Sequence, residues 1–181
     1  KKTDNGIMHG YIDKDEKEII KIENEKISRI PNIKNDELYL IIIRDGRSAI
    51  YKDKKNKTDF LYREITYSEE GDAFVVQKNK KYGLISKDLK ELLNPVYDEV
   101  FISGMYINAT KGEEISIFEL NGKKIENTEY IGLSKTSTEK FYIAMDEEYK
   151  YGILDINKDT NKMELSIKEL EGTSNEYIEE M

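Results

Sequence analysis

The apolar residues of this chain fall in short clusters of Ile, Val, Tyr and Phe, separated by polar runs at regular spacing. The clearest stretch is residues 74–100. An apolar run at 74–77 meets polar turn residues at 78–81, the chain returns at 82–86, and a second polar turn at 87–90 leads into 91–100. That pattern predicts three strands joined by tight turns. With Gly83 as anchor, equivalent positions fall at Gly10, Ser48, Ser116 and Gly152, each inside a short apolar run followed by a polar turn, in steps of 38, 35, 33 and 36 residues.

A second landmark supports this register. Tyr62, Tyr97 and Tyr130 each lie 14 residues after an anchor, and the residues three further on, Ile65, Val100 and Leu133, are all apolar. In the first unit the offset falls on Asn24, with Ile27 at the apolar position. In the last, Glu176-Tyr177-Ile178 echoes Glu129-Tyr130-Ile131 after an 11-residue insertion. The prediction is an all-β fold of about five tandem antiparallel β-meander repeats, propeller-like or an open array, forming a single repeat domain over 1–181 with units at 1–37, 38–72, 73–104, 105–138 and 139–181. Atypical end units suit an array, whose terminal faces must be covered.

Local signals refine the picture. Small anchor residues point either to close approach of a neighbouring backbone or ring, or to a strand bulge. Pro95 rules out a regular central strand and places its segment at a bend or an edge; Pro31 is expected to do the same between the first two units. In residues 15–26, Ile19, Ile20 and Ile22, with Ile27 just beyond, make a poor helical stripe of β-branched side chains, and the stretch reads as strand. Met163, Leu165 and Ile167 alternate with Glu164, Ser166 and Lys168, which reads as a half-buried strand inside the insertion.

Composition changes the picture by exclusion. A charged fraction of 36% with low mean hydropathy would suit a disordered chain, but the clustering of β-formers argues for a folded one. Lys+Arg of 29 against Asp+Glu of 37 leaves a net charge of −8, so a nucleic acid would meet a repulsive average field and is not an expected partner. The basic stretches Lys52, Lys54, Lys55, Lys57 and Lys78, Lys80, Lys81 read as solvated turns. With no cysteine there are no disulfides, thiolate metal sites or cysteine nucleophiles. The longest apolar run, 38–43, is strand-sized, so no transmembrane segment is expected in this stretch. The start at Lys1, without Met or an apolar leader, reads as a fragment or a processed chain. A secreted or cell-envelope location is favoured over a cytoplasmic one, and the Lys, Asn and Ile bias, with only Arg29, Arg44, Arg47 and Arg63 as arginines, points to an AT-rich genome.

Residues 81–87, Lys-Tyr-Gly-Leu-Ile-Ser-Lys, continued by Glu91-Leu-Leu-Asn-Pro-Val-Tyr-Asp-Glu-Val100, resemble the WG (KWG) repeat family, in which Lys-Trp-Gly-Leu-Ile-Asp precedes a proline bend and a Tyr-Asp-Glu-Ile close. Residues 9–14 and 151–155 match in part. The signature Trp is replaced by His9, Arg47, Tyr82, Ile115 and Tyr151. The resemblance implies a bacterial β-repeat array and adds little about activity.

Candidate chemistry is sparse. The lone histidine, His9, reads as an aromatic stand-in at the Trp position rather than a base or ligand, and without a second His or any Cys the Ser-His, Cys-His and zinc constellations lack parts. Glu113-Glu114, Asp98-Glu99 and Asp146-Glu147-Glu148 are expected at turns or strand ends. The string Asp155, Asn157, Asp159, Asn161 opens like a calcium loop, but Thr160 stands where that loop needs Gly and Ser166 where it needs Glu. The registered tyrosines Tyr62, Tyr97, Tyr130 and Tyr177 are expected in the core, and Tyr67, Tyr106 and Tyr149 at the surface. No catalytic residue, metal site or cofactor is assigned. The expected function is a non-catalytic binding or scaffold module facing a protein or glycan, with two alternatives: a carbohydrate-active enzyme using paired carboxylates, or a structural spacer in a larger cell-envelope protein.

Overall fold

The structure, a computed structural model, describes residues 2–3, 6–31, 37–52, 56–103, 106–125, 132–135, 141–145, 151–157 and 162–167, with side chains described within 6–125. These residues contain no helix, and every strand pair is antiparallel. The chain divides into two compact units, Lys1–Tyr97 and Asp98–Met181.

In the first unit, β1 (Lys2–Thr3) and β2 (Gly6–Ile7) form a short hairpin, and β3 (His9–Ile12) pairs with β4 (Glu18–Asn24). A second sheet joins β5 (Lys26–Arg29), β6 (Leu40–Arg44) and β7 (Arg47–Tyr51), and isolated bridges from Ser48 to Tyr62 and from Tyr51 to Lys57 lay a further segment beside β7. A third sheet is a four-stranded meander of β8 (Glu64–Ser68), β9 (Ala73–Lys78), β10 (Lys81–Ser86) and β11 (Glu91–Tyr97). The three strands expected over 74–100 thus gain a fourth upstream, and residues beyond Tyr97 leave the sheet.

In the second unit, β12 (Glu99–Ser103), β13 (Tyr106–Lys111) and β14 (Glu114–Glu119) form one meander, with a bridge from Phe118 to Lys124. β15 (Gly132–Lys135), β16 (Phe141–Met145), β17 (Tyr151–Asn157) and β18 (Lys162–Ile167) form another. The alternating segment around Met163 is indeed a strand, and so is the core of 15–26. Tyr130 and Tyr177 lie outside the described residues.

Hydrogen bonds reveal the repeat at single-residue resolution and correct one anchor. Gly83 pairs with Val76 and Ser116 with Ala109, each seven residues upstream across a two-residue turn; in the second sheet the residue so paired is Ala49, with Ile42. Three residues after the anchor an amide donates to the carbonyl four residues further on: Asp13 to Lys17, Lys52 to Asn56, Ser86 to Lys90, Glu119 to Lys123. Only Ala49, not Ser48, puts Lys52 in that series. Glu16, Leu89 and Gly122, six residues after their anchors, share a left-handed conformation at φ 60°, 60° and 88°. Tyr62 and Tyr97 remain counterparts, since each bridges to the residue before its anchor, Ser48 and Tyr82. One residue fewer in the intervening loop produced the apparent 14-residue match at Ser48.

Both readings of the small anchor hold for glycine. β10 meets β11 through Tyr82–Tyr97, Leu84–Leu93 and Ile85–Glu91, with bulges between these pairs, and β3 meets β4 in the same register at His9–Asn24, Tyr11–Ile20 and Ile12–Glu18. The bulge presses the partner backbone onto the anchor. A Cβ on Gly83 would stand 2.5 Å from the Leu93 carbonyl oxygen and 2.7 Å from the Pro95 nitrogen; one on Gly10 would stand 2.8 Å from the Ile20 oxygen. Where the anchor carries a side chain, at Ala49 and Ser116, the segment alongside makes isolated bridges instead of a continuous strand. Pro95 sits, as expected, in an edge strand. Pro31 follows β5, also an edge strand, but it lies in the connection from β5 to β6 rather than between the first two sheets.

Alternation of side chains packs the sheets of the first unit face to face. From the second sheet, Tyr39, Ile41 and Ile50 face Phe74, Val76 and Ile85 of the third, while Leu40, Ile42 and Tyr51 face Tyr11, Ile19 and Ile20 of the first. Tight turns make this possible: Asp45-Gly46 and Asn79-Lys80 all have positive φ, the conformation whose twist suits a two-residue hairpin. Gly83→Ala is expected to destabilise the chain by about 1–3 kcal/mol through overpacking. Ala49→Gly should cost only about 0.5–1 kcal/mol; urea unfolding of the two variants measures the contrast.

Candidate functional site

The seam between the first and second sheets leaves a cleft of about 550 Å³. Its apolar surface comes from Tyr11, Ile12 and Ile19 on one side and Leu38 and Tyr51 on the other, with Asp13, Lys14, Glu37 and Lys52 at its rim. The cleft lies where β3 and β7 run into their polar turns, so Asp13, Lys14 and Lys52 stand beside the apolar residues that end those strands. A cavity of this size and lining is in the range of small-ligand sites.

The rim charges are organised by a network that continues toward the third sheet. Lys52 Nζ lies 2.8 Å from Asp88 and 3.6 Å from Glu37, and 5.5 Å from the centroid of the Tyr39 ring. The buried Tyr39 donates its hydroxyl proton to the Lys87 carbonyl at 2.8 Å, with Glu37 at 3.2 Å as a second acceptor. Lys87 in turn meets Asp72 at 2.8 Å, and Tyr67 donates to the same carboxyl at 2.6 Å. The Tyr39 and Tyr67 rings flank Phe74, with centroids 5.7 and 5.3 Å away. The Asp88 carboxylate, and after it the Tyr39 hydroxyl, push Lys52 above the ordinary lysine range, while Lys52 holds Asp88 below the ordinary carboxylate range. Burial raises the Tyr39 and Tyr67 hydroxyls, and the Asp72 carboxylate raises Tyr67 further.

Both carboxyl groups of the cleft are engaged. Asp13 Oδ1 accepts from the amides of Asp15 and Lys17, fixing the turn after β3, and Glu37 faces Lys52 and Tyr39. The other carboxyl pairs lie where expected, at turns and strand ends: Asp98 accepts from the Gly112 amide, and Glu114 pairs with Lys124 at 3.3 Å, which lowers its pKa. Asp146-Glu147-Glu148 lies outside the described residues. Asp155 and Asn157 belong to β17 and pair with Glu164 and Lys162, so the calcium-like string starts in a strand rather than a loop; Asp159 and Asn161 are outside the described residues. Among the described residues no cluster of three potential metal ligands occurs, and no helix is long and apolar enough to cross a membrane.

His9 is exposed on β3, where it pairs with Asn24. Two expectations need correction. Tyr67, expected at the surface, packs against the core beside Phe74 with its hydroxyl tied to Asp72, because β8 adds the strand that the sequence reading left out of the sheet. Lys52, expected as a solvated turn charge, keeps only 18% of its side chain exposed and joins two meanders through Asp88. Sequence gave no sign of the cleft, since Leu38, Tyr51 and Ile19 read as ordinary strand residues. Tyr106 is half-buried, and Tyr149 lies outside the described residues.

No family model matches the chain, and no curated protein matches it significantly.

The network sets an expected pH dependence. Because Asp88 has a lower pKa folded than unfolded, its pairing with Lys52 contributes stability above the ordinary aspartate value of about 3.9, and that contribution is lost as pH falls through the depressed folded value. Lys52→Met should therefore lower Tm at pH 7, with the gap to the parent protein closing below pH ~4; Tm measured across this range gives the answer. At the alkaline end the sign reverses. The raised tyrosines contribute stability that is full below their unfolded value of about 10 and is lost as pH rises through the folded values. Absorbance titration should show phenolate forming late and together with unfolding.

Proposed function

We propose that the chain is a non-catalytic binding module of WG-repeat type, and that the cleft between its first two sheets receives the ligand. The observation that carries this reading is the combination of an apolar floor of Tyr11, Ile12, Ile19, Leu38 and Tyr51 with charges of both signs at the rim. Apolar lining supplies affinity through the area removed from water, and a few charges orient the bound group. The engagement of Asp13 by backbone amides and of Glu37 by Lys52 favours binding over acid–base work, since a general acid or base needs a carboxyl free to meet substrate. The match of residues 81–87 to the WG pattern supports the family part of the proposal.

The test is an NMR titration of the full chain with p-cresol, N-acetyl-tyrosinamide and a set of neutral oligosaccharides. Saturable shifts at Tyr11, Ile19, Leu38 and Tyr51, with dissociation constants on the order of 1 mM for a single ring and lost in Leu38→Arg, are expected. Absence of any cleft response to all probes would overturn the reading, as would release of shortened sugars on incubation.

A further inference from the structure

A second cavity lies at the seam of the first two sheets, and it differs from the cleft in its charge. Its volume is about 290 Å³. The buried Ile20, Ile42, Ala49 and Tyr51 form its apolar walls. Lys21, Arg44 and Lys57 set three cations against one carboxylate, Glu23, among the lining residues. In a chain of net charge −8 this is a local reversal of sign, and it attracts an anion that the average surface repels.

Strand alternation brings Arg44 to the cavity. Leu40, Ile42 and Arg44 share one face of β6, and Leu40 and Ile42 pack in the cluster that joins the first two sheets. The guanidinium is fixed before any ligand arrives. Its Nε and Nη2 donate to Asn24 Oδ1 at 3.1 and 2.9 Å, and its Cζ stands 4.6 Å from the centroid of the Phe60 ring. Asn24 is fully buried and held in turn, since its Nδ2 donates to the Lys21 carbonyl at 2.8 Å and to the His9 carbonyl at 3.3 Å. Nη2 also meets Glu23 at 2.8 Å, whereas Nη1 makes no hydrogen bond or ion pair to a described residue. Glu23 keeps 48% of its side chain exposed, so it is free to swing aside.

The next seam is built differently at this point. Tyr62 is the counterpart of Asn24 there, bridging to Ser48 as Asn24 pairs with His9, and its ring belongs to the apolar cluster with Ile65 and Val76. Where the second seam buries a ring, the first buries an amide that fixes a cation.

We infer that this cavity binds a small organic monocarboxylate with a short aliphatic body. The carboxylate takes the Nη1 side of Arg44, where a preorganised guanidinium donates charge-assisted hydrogen bonds. Lys21 and Lys57 add to the field around it, and the aliphatic body lies against Ile20, Ile42 and Ala49. Those apolar walls favour a carboxylate with a body over a bare inorganic anion, which gains nothing from them and loses its hydration. Glu23 is the internal competitor for the same guanidinium.

The probe is sodium hexanoate, added to the full chain at constant ionic strength and followed by NMR. Saturable shifts of the Ile20 and Ile42 methyls and of the Arg44 Nε–H are expected, with a dissociation constant on the order of 1 mM and 1-hexanol at least about tenfold weaker. Lys21→Gln and Lys57→Gln, at exposed positions where folding is spared, should each weaken hexanoate about threefold. Glu23→Gln should tighten it by about the same factor, because a competing negative charge is removed. No response at Ile20 and Ile42, or a Glu23→Gln variant that binds no more tightly, overturns the inference. Inorganic phosphate binding as well as hexanoate would assign the cavity to any small anion and overturn the monocarboxylate. The cleft is read separately, at Tyr11 and Leu38 with p-cresol, so hexanoate shifts confined to those residues sink this site and leave the cleft reading standing.

Discussion

Burial of both faces of thin sheets is the constraint on which the first unit depends. Two hairpin-linked strands have too little interior to exclude water from their side chains, and an isolated hairpin is marginal in water. Alternation then sends Tyr39, Ile41 and Ile50 one way and Leu40, Ile42 and Tyr51 the other, so the second sheet is covered only because it has a neighbour on each side. Each Leu or Ile fully buried in this way contributes about 1.5–3 kcal/mol. This explains how a chain with 36% charged residues folds: its apolar residues are few but are used on two faces.

Polar contacts then hold the sheets in register across a seam that apolar packing alone leaves free to slide. Tyr39 is the clearest case, its ring among apolar residues and its hydroxyl fixed on the Lys87 carbonyl, with Lys52 reaching from the same side to Asp88. Tyr67 and Asp72 repeat the device inside the third sheet. At the first seam Asn24 plays the corresponding part: buried, it accepts from Arg44 at 2.9 Å and donates to the Lys21 carbonyl at 2.8 Å, while the Arg44 guanidinium rests over the Phe60 ring. The position that looked degenerate for lacking tyrosine therefore carries a buried polar anchor of its own.

The all-β class, the antiparallel meanders, the repeat spacing and the strand character of 15–26 and 163–167 were legible in sequence, because period-two alternation and turn residues at fixed intervals are local properties. The anchor of the second sheet was misplaced by one residue, because a loop deletion and the spacing of Tyr62 compensated each other in the linear count, and only the hydrogen bonds of Lys52 and Asn56 separate the two. Tyr67 was misread for a related reason: solvent exposure depends on which strands flank a position, and β8 belongs to the sheet that follows it rather than to the apolar run before it.

The sequence by itself determined the elements, the turns and the need for glycine at Gly10 and Gly83, because these follow from backbone sterics and side-chain alternation within about 35 residues. Tertiary structure alone decided which faces meet, where Lys52 and Tyr39 find their partners 36 and 48 residues away, and that a cleft lies beside Tyr11 and Ile12. A cleft at a seam is a property of the assembled sheets that no single segment encodes.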